Sequence, residues 1–312
     1  MSVKWFFFVV LLALFAGFGA APVAAANCQA EMSDVNFGSV SLRAGVQNRA
    51  AGRLEVTCSN ALVSVVGVCV RFGAGSGGAA SGNAPRYMQG GTGAKLAYQL
   101  STVGYGSGFG TLNEVYLTVP ILLGHGRASI PIYGEIQSTG TAFDTGHYQS
   151  VFSGPSQIEM SYGILSCNLF GQSHPVPDFK VSADTVASCE LDVGAMDFGR
   201  ISGLGMAPAD ATASVDVRCT NGTNYSVSMG LGEGSGVSDP EQRKMSSLGN
   251  TLTYGLFHDP GHSQVWGEAP ASRVTGAGSG YDQRYTVYGR IYQGQQTQIG
   301  VYRDSVIVTV NY

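Results

Sequence analysis

Two stretches of this chain share one cysteine interval, and the likeness runs well beyond the cysteines. "CQAEMSDVNFGSV" from Cys28 parallels "CELDVGAMDFGRI" from Cys189, and "GRLEVTCSN" (52–60) parallels "ASVDVRCTN" (213–221). Cys28 to Cys58 and Cys189 to Cys219 are each 30 residues apart. Further on, "AYQL" (97–100) answers "TYGL" (253–256) and "YGEI" (133–136) answers "YGRI" (288–291). Near the two ends, "GHYQSVFSGPSQIEMSY" (146–162) answers "GVYRDSVIVTVNY" (300–312). So many anchors in one order define a chain built from two copies of a single unit.

Each copy is a series of short alternating runs broken by Gly, Asn and Pro clusters, with no helical period longer than a turn or two. That pattern predicts an all-β chain of two antiparallel sandwiches. Composition agrees, with 45 Gly and only 12% charged residues among many Val, Ser, Thr and Tyr.

The first residues set the compartment. Lys4, the apolar run "WFFFVVLLALFAGFG" and the small residues "APVAAAN" read as a secretory signal over residues 1–26, cut after Ala26. The run is short for a membrane span. Beyond it lie residues 27–312, enough for roughly two ordinary domains. The formal net charge of −4 falls by one more when Lys4 leaves. Without a basic patch to neutralise phosphates, nucleic acid is not an expected partner.

An exported chain with six cysteines is expected to form disulfides. The equal spacing in the repeat argues for Cys28–Cys58 and Cys189–Cys219, each closing a loop worth roughly 3–4 kcal/mol in the chain-entropy model. Cys69 and Cys167 then pair by subtraction.

No catalytic site emerges. Every candidate serine, as in "GAGSGG" or "GEGSG", lacks the glycine two positions earlier that a nucleophile elbow needs. "HDPGH" (258–262) spaces two histidines by four, but Pro260 and Gly261 make it a turn rather than a helical metal pair. No metal, cofactor or enzymatic activity is expected.

The second unit's "ASC", "MDFG", "VDVRCTNGTNYSVSMGLGEG", "LTYGLFHD", "VWG", "YTVYGRI" and "GVYRDSVIVTVNY" resemble the spore coat protein U domain family. That family includes the subunits of archaic, Csu-type chaperone–usher pili. The match covers residues 179–312; unit one fits more loosely over 28–162, with Phe109-Gly110 where unit two has Trp266-Gly267. The resemblance implies immunoglobulin-like, pilin-type sandwiches, the C-terminal one incomplete and completed by a donor strand from another chain. It implies these partners: a periplasmic chaperone, an outer-membrane usher, and a next pilus subunit donating its N-terminal strand.

The expected organisation is an N-terminal adhesin domain over 27–170, a linker over 171–178 and a pilin domain over 179–312. Val306, Val308, Val310 and Tyr312 form the inward face of the last strand, whose edge is the expected assembly site. Only Asn27 precedes Cys28 after the signal, so the chain is expected to accept a strand but to give none, as a distal tip subunit would. Residues 179–188, with Phe179, Val181 and Ala183 alternating, have two readings: a strand completing unit one in cis, or the first strand of unit two.

Where unit two has the polar loop "ASRVTGAGSG", unit one has "YLTVPILLG" (116–124). Val119, Pro120, Ile121, Leu122 and Leu123, with Val103, Tyr105 and Phe143, are therefore candidates for apolar binding loops; "LTVPILL" also reads as a core strand. The family's tip subunits bind hydrophobic abiotic surfaces through such loops. The expected function is surface attachment and biofilm formation at a pilus tip, through a hydrophobic surface or an undefined receptor. A carbohydrate-binding tip using Tyr105, Tyr116, Phe143 and Asp144, or a coat or fibre-shaft protein, are the alternatives.

Overall fold

β-branched and aromatic residues alternate with polar ones along both halves, and the backbone pairs accordingly. A computed structural model describes residues 26–81, 84–111, 113–164, 166–167, 173–202 and 207–312. The signal expected over 1–26, apart from Ala26, and the first two residues of the linker expected over 171–178 lie outside the described residues. Twelve strands precede residue 186: β1 (Asn27–Met32), β2 (Val35–Val40), β3 (Arg49–Ser59), β4 (Val65–Phe72), β5 (Arg86–Gly90), β6 (Lys95–Ser101), β7 (Glu114–Leu122), β8 (His125–Ile136), β9 (Gly146–Phe152), β10 (Ile158–Gly163), β11 (Ser173–Pro175) and β12 (Phe179–Thr185). Eight follow: β13 (Cys189–Val193), β14 (Ala209–Cys219), β15 (Asn224–Met229), β16 (Arg243–Ser247), β17 (Asn250–Phe257), β18 (Val274–Ala277), β19 (Gln283–Ile291) and β20 (Val308–Asn311). Among the described residues the helical element is a single 3-10 turn, Pro270–Ser272.

The first unit wraps its strands in the order β11-β10-β4-β7-β8-β6-β5-β9-β12-β2, with β1 and β3 paired alongside β8. The β7–β8 hairpin carries the chain from one layer to the other, where Ile121 pairs with Gly126 and Leu122 with His125. Between the layers lies one apolar core containing Leu54, Val68, Phe72, Leu96, Ile132 and Phe152. Alternation decides which side chains enter it: in β7, Val115, Leu117 and Val119 are buried while their neighbours are not.

The second unit is smaller. A five-stranded sheet, β13-β14-β19-β17-β16, faces a three-stranded sheet, β18-β15-β20, across a core centred on the fully buried Trp266. The chain is thus all-β, with two sandwiches. The disulfides are Cys28–Cys58, Cys69–Cys167 and Cys189–Cys219; the first and third join directly opposed residues of β1/β3 and β13/β14.

The repeat extends to buried charge. Arg86 and Arg243 open matching strands and are both completely buried. Arg86 donates to the carbonyls of Phe72, Gly73 and Phe109; Arg243 donates to those of Met229, Gly230, Trp266 and Pro240. Each guanidinium therefore ties together loop carbonyls that would otherwise be buried without donors. Burial lowers the Arg86 pKa to about 10 and depresses that of Arg243 as well.

Of the two readings of residues 179–188, the backbone pairing follows the first. Phe179–Thr185, placed in the C-terminal domain by a boundary at 179, pairs antiparallel with β9 and parallel with β2 of the first unit. Phe179 stacks on Phe152 and meets Phe72 edge-on, while Val181 and Ala183 are fully buried. Burial of such side chains stabilises by roughly 1.5–3 kcal/mol each for the Phe and Val. Only residues 186–188 separate this strand from β13.

Candidate functional site

Because the units are copies, the first shows what surrounds each position of the second. In unit one, β12 lies between β9 and β2. The counterpart of β9 is the stretch 300–306, and that of β2 is 196–201. Both equivalences are visible in detail. Ser246 and Arg303 exchange backbone hydrogen bonds of 2.9 and 3.1 Å, where the β5–β9 pairing places Gln89 opposite Gln149. Asn36 and Asp197 each accept a bond from the amide two residues on, at 2.8 and 2.7 Å, and the glycines concerned have φ of 64° and 67°.

Between 196–201 and 300–306 the second unit has a cleft rather than a strand, among the described residues. A cavity of about 410 Å³ opens there, lined by Met196, Met229, Met245, Tyr254, Asp304 and Val306 among others. Three of these correspond to Val35, Phe72 and Phe152, which pack on β12 in the first unit. Most of the side chains lining it are apolar, with Tyr254, Arg303, Asp304 and Ser305 among the polar ones.

The last strand forms one wall. Val306, Val308 and Val310 pack against the second core, as their alternation requires, while Ile307 faces out. Tyr312 departs from the expected inward set. Pairing with β15 stops at Asn311, and the exposed Tyr312 lies instead in an open surface groove beside Asn224 and Tyr225.

Polar groups hold the cleft's floor. The Tyr254 hydroxyl donates to Asp304 at 2.6 Å, and burial together with that bond pushes the phenol pKa up. The "HDPGH" stretch is a turn in which Asp259 accepts from the amides of Ser263 and Gln264. Its two imidazoles pack separately, His258 near Trp266 and His262 near Phe257 and Tyr288.

The two units meet at Thr141–Asp144. Thr141 donates to the Gly280 carbonyl at 3.0 Å, the Asn221 amide donates to the Thr141 carbonyl, and the Asn221 side chain donates to Asp144 at 2.6 Å. Thr92 donates to the other Asp144 oxygen, and these two bonds hold the Asp144 carboxyl below the usual carboxylate range. From this junction β8 runs away for 12 residues, roughly 36–40 Å, to the β7–β8 hairpin.

That far end is apolar. Leu122 is 77% exposed and Leu123 93%, and Leu123 has φ of 52°, a conformation branched side chains rarely adopt. Gly124 follows at 83°, so the two central residues of the turn are left-handed. Leu62, 80% exposed, is held beside them by bonds from the Ala61 amide to Gly124 and from the Ile121 amide to Ser64. Ile164, 63% exposed, follows β10 at the same end, where Gly163 pairs with Gly67.

The sequence-derived candidates divide on this geometry. Leu122 and Leu123 stand at the hairpin tip, Pro120 is exposed on its stem, and Ile121 is half-buried against the core. Val119 is not a binding residue, because the strand alternation turns it wholly inward. Val103 is exposed on the flank, near Tyr105, which packs edge-on against Tyr133 beneath Arg49. Phe143 is half-buried at the inter-unit junction, the opposite end from the hairpin. Leu62 and Ile164 escaped the sequence reading. Their signal was faint: short apolar stretches beside an Asn turn and a Gly, which read equally well as core.

Residues 14–153 and 177–309 match the Spore Coat Protein U domain family, and the chain belongs to that family. Over 107 residues it is 29% identical to Protein U of Myxococcus xanthus, a match spanning 32% of this chain and 59% of that protein. Its fold is similar to the CsuC–CsuE chaperone–tip adhesion subunit pre-assembly complex from the archaic chaperone–usher Csu pili of Acinetobacter baumannii. The TM-score is 0.50 at 16% identity, covering 92% of this chain and 100% of that one. The chain therefore has the fold of a chaperone–usher tip adhesin.

Proposed function

We propose that this protein is the tip adhesin subunit of an archaic chaperone–usher pilus. It attaches to hydrophobic, abiotic surfaces through the apolar end of its first unit and supports biofilm formation. Its second unit joins the fibre by donor-strand complementation. The observation that carries this reading is the contrast between the two copies. Unit one is closed by a strand of its own chain, whereas unit two presents an open cleft at the same place, lined mostly by apolar side chains. A periplasmic chaperone occupies that cleft during export to the outer-membrane usher, and the N-terminal strand of the next subunit takes it over at the cell surface. Residues 27–185 form the adhesin and 189–312 the pilin domain in this reading.

The attachment site is the cluster of Leu62, Leu122, Leu123 and Ile164. A leucine held at positive φ and almost fully exposed carries two costs at once, which a purely structural turn would avoid with Asn or Gly. Covering a few hundred Å² of such surface yields several kcal/mol as an upper estimate at about 25 cal/mol per Å². The carbohydrate alternative draws no support from geometry. Tyr105 lies on a flank, Tyr116 lies across the other layer beside Gly67, and Asp144 is engaged at the junction.

Immunogold labelling of piliated cells with antibody to residues 27–170, combined with adhesion to polystyrene, tests this. Grains at fibre ends and binding lost on replacing the four apolar residues by serine are expected. Grains along shafts, or serine variants that bind as before and are inhibited by sugars rather than detergent, overturn it.

A further inference from the structure

One of the charge differences between the walls of the two strand positions falls where the rest of the setting is copied. Position 150 in β9 is serine, and its counterpart in unit two is Asp304. The surroundings are otherwise copied. Each side chain packs over a left-handed glycine, Gly75 at φ 71° and Gly232 at φ 82°, where a Cβ would collide with it. Each stands beside a tyrosine, Tyr98 or Tyr254, above a buried arginine, Arg86 or Arg243.

In unit one β12 covers this position. Val181 lies directly opposite Ser150 in the antiparallel register, and both are fully buried. Directly opposed residues place their side chains on the same face, roughly 5 Å apart at Cβ. A strand docked in the second cleft by the same pairing would set one side chain against Asp304 in the same way. Asp304 Oδ1 accepts from the amides of Glu233 and Ser305, at 2.7 and 2.9 Å, and Oδ2 accepts from Tyr254. A carboxylate offers about four lone-pair sites, so Oδ2 retains one, and Asp304 is among the residues lining the cleft. An apolar residue seated there seals a carboxylate with an unmet acceptor; a hydroxyl satisfies it.

We propose that Asp304 is a specificity-determining residue of the strand cleft, selecting a donor strand with Ser or Thr at the position where the chain's own β12 has Val181. This rests on the strand-accepting reading of the second unit. The groups beside Asp304 are the Tyr254 phenol and, beneath it, the Arg243 guanidinium.

Fluorescence anisotropy with two labelled peptides tests the proposal on the mature chain, residues 27–312. One peptide carries residues 177–187 as they stand; the other carries Val181→Thr. On the native protein the Thr peptide is expected to bind about tenfold or more tightly. In Asp304→Ser, which recreates the first unit's wall, that preference disappears. Asp304→Asn, which keeps an oxygen acceptor and the shape, retains a reduced preference. Because the substitutions lie in unit two, their effect separates binding there from exchange with β12. Equal affinities on the native protein, or the same preference in Asp304→Ser, overturn the selectivity and leave the strand-accepting reading in place. Failure of both peptides to bind overturns that reading, and the selectivity with it.

Discussion

The ring of Phe179 stacks on that of Phe152 with centroids 4.4 Å apart and planes 13° from parallel, so the first unit's core is completed by a residue from beyond its linker. Phe179→Ala removes this ring and leaves a hole between Phe72 and Phe152, at a cost of about 3–5 kcal/mol. Urea unfolding of fragment 27–188 is expected to show one cooperative transition that the substitution shifts strongly downward. Fragment 27–172 lacks the strand and is expected not to fold; if both fragments unfold alike, the closing role of β12 is wrong.

Leu123 occupies a left-handed turn position that asparagine or glycine fills at lower cost. Leu123→Asn is expected to raise the stability of the first unit by about 1 kcal/mol while weakening attachment to polystyrene. Thermal unfolding and adhesion measured on one preparation check both halves. A variant that loses stability and keeps its adhesion contradicts the functional reading of the turn.

The buried arginines cannot be replaced by lysine, whose single ammonium does not span three or more carbonyls. Arg243→Lys and Arg86→Lys are each expected to cost about 3 kcal/mol, with carbonyls left lacking donors. Denaturant midpoints read this directly, and near-native midpoints for either variant would refute it.

Asp144 ties the units together as a carboxylate. Its pKa is depressed in the folded chain by the bonds from Thr92 and Asn221, so its contribution is complete above the unfolded value of about 3.9 and is lost as pH falls through the lower folded value. Small-angle scattering is expected to show a fixed angle between units at neutral pH that loosens in acid. Asp144→Ala is expected to be loose at every pH, and a scattering curve that this substitution leaves unchanged would count against the contact.

Much of the cleft was legible because the sequence contains its own control. "VNFGSV" against "MDFGRI" and "GHYQSVF" against "GVYRDSV" identify the flanking segments, and the cysteine spacing identifies two of the disulfides. The placement of Phe179–Thr185 was not legible, since its alternation suits the first strand of unit two equally well. Val119 was misjudged because "VYLTVPILL" gives both a core strand and a hairpin tip, and only the turn at Leu123-Gly124 separates them. Arg86 and Arg243 look like ordinary surface charges in short strands. Their one signal was recurrence at matching places in the two repeats.

The connection between units has no slack. Ser188 is buried, its amide and hydroxyl bond to Thr220 and its carbonyl accepts the Thr220 amide, so a pull on the second unit passes through residues 186–188 straight into β12. That strand is flanked on both sides along its length, and tension draws it along its own axis. Its ladder bonds are then strained together, in shear, instead of opening one after another. If the protein anchors a cell as proposed, flow would load the first unit through the element that resists best, and the closing strand would double as the tether.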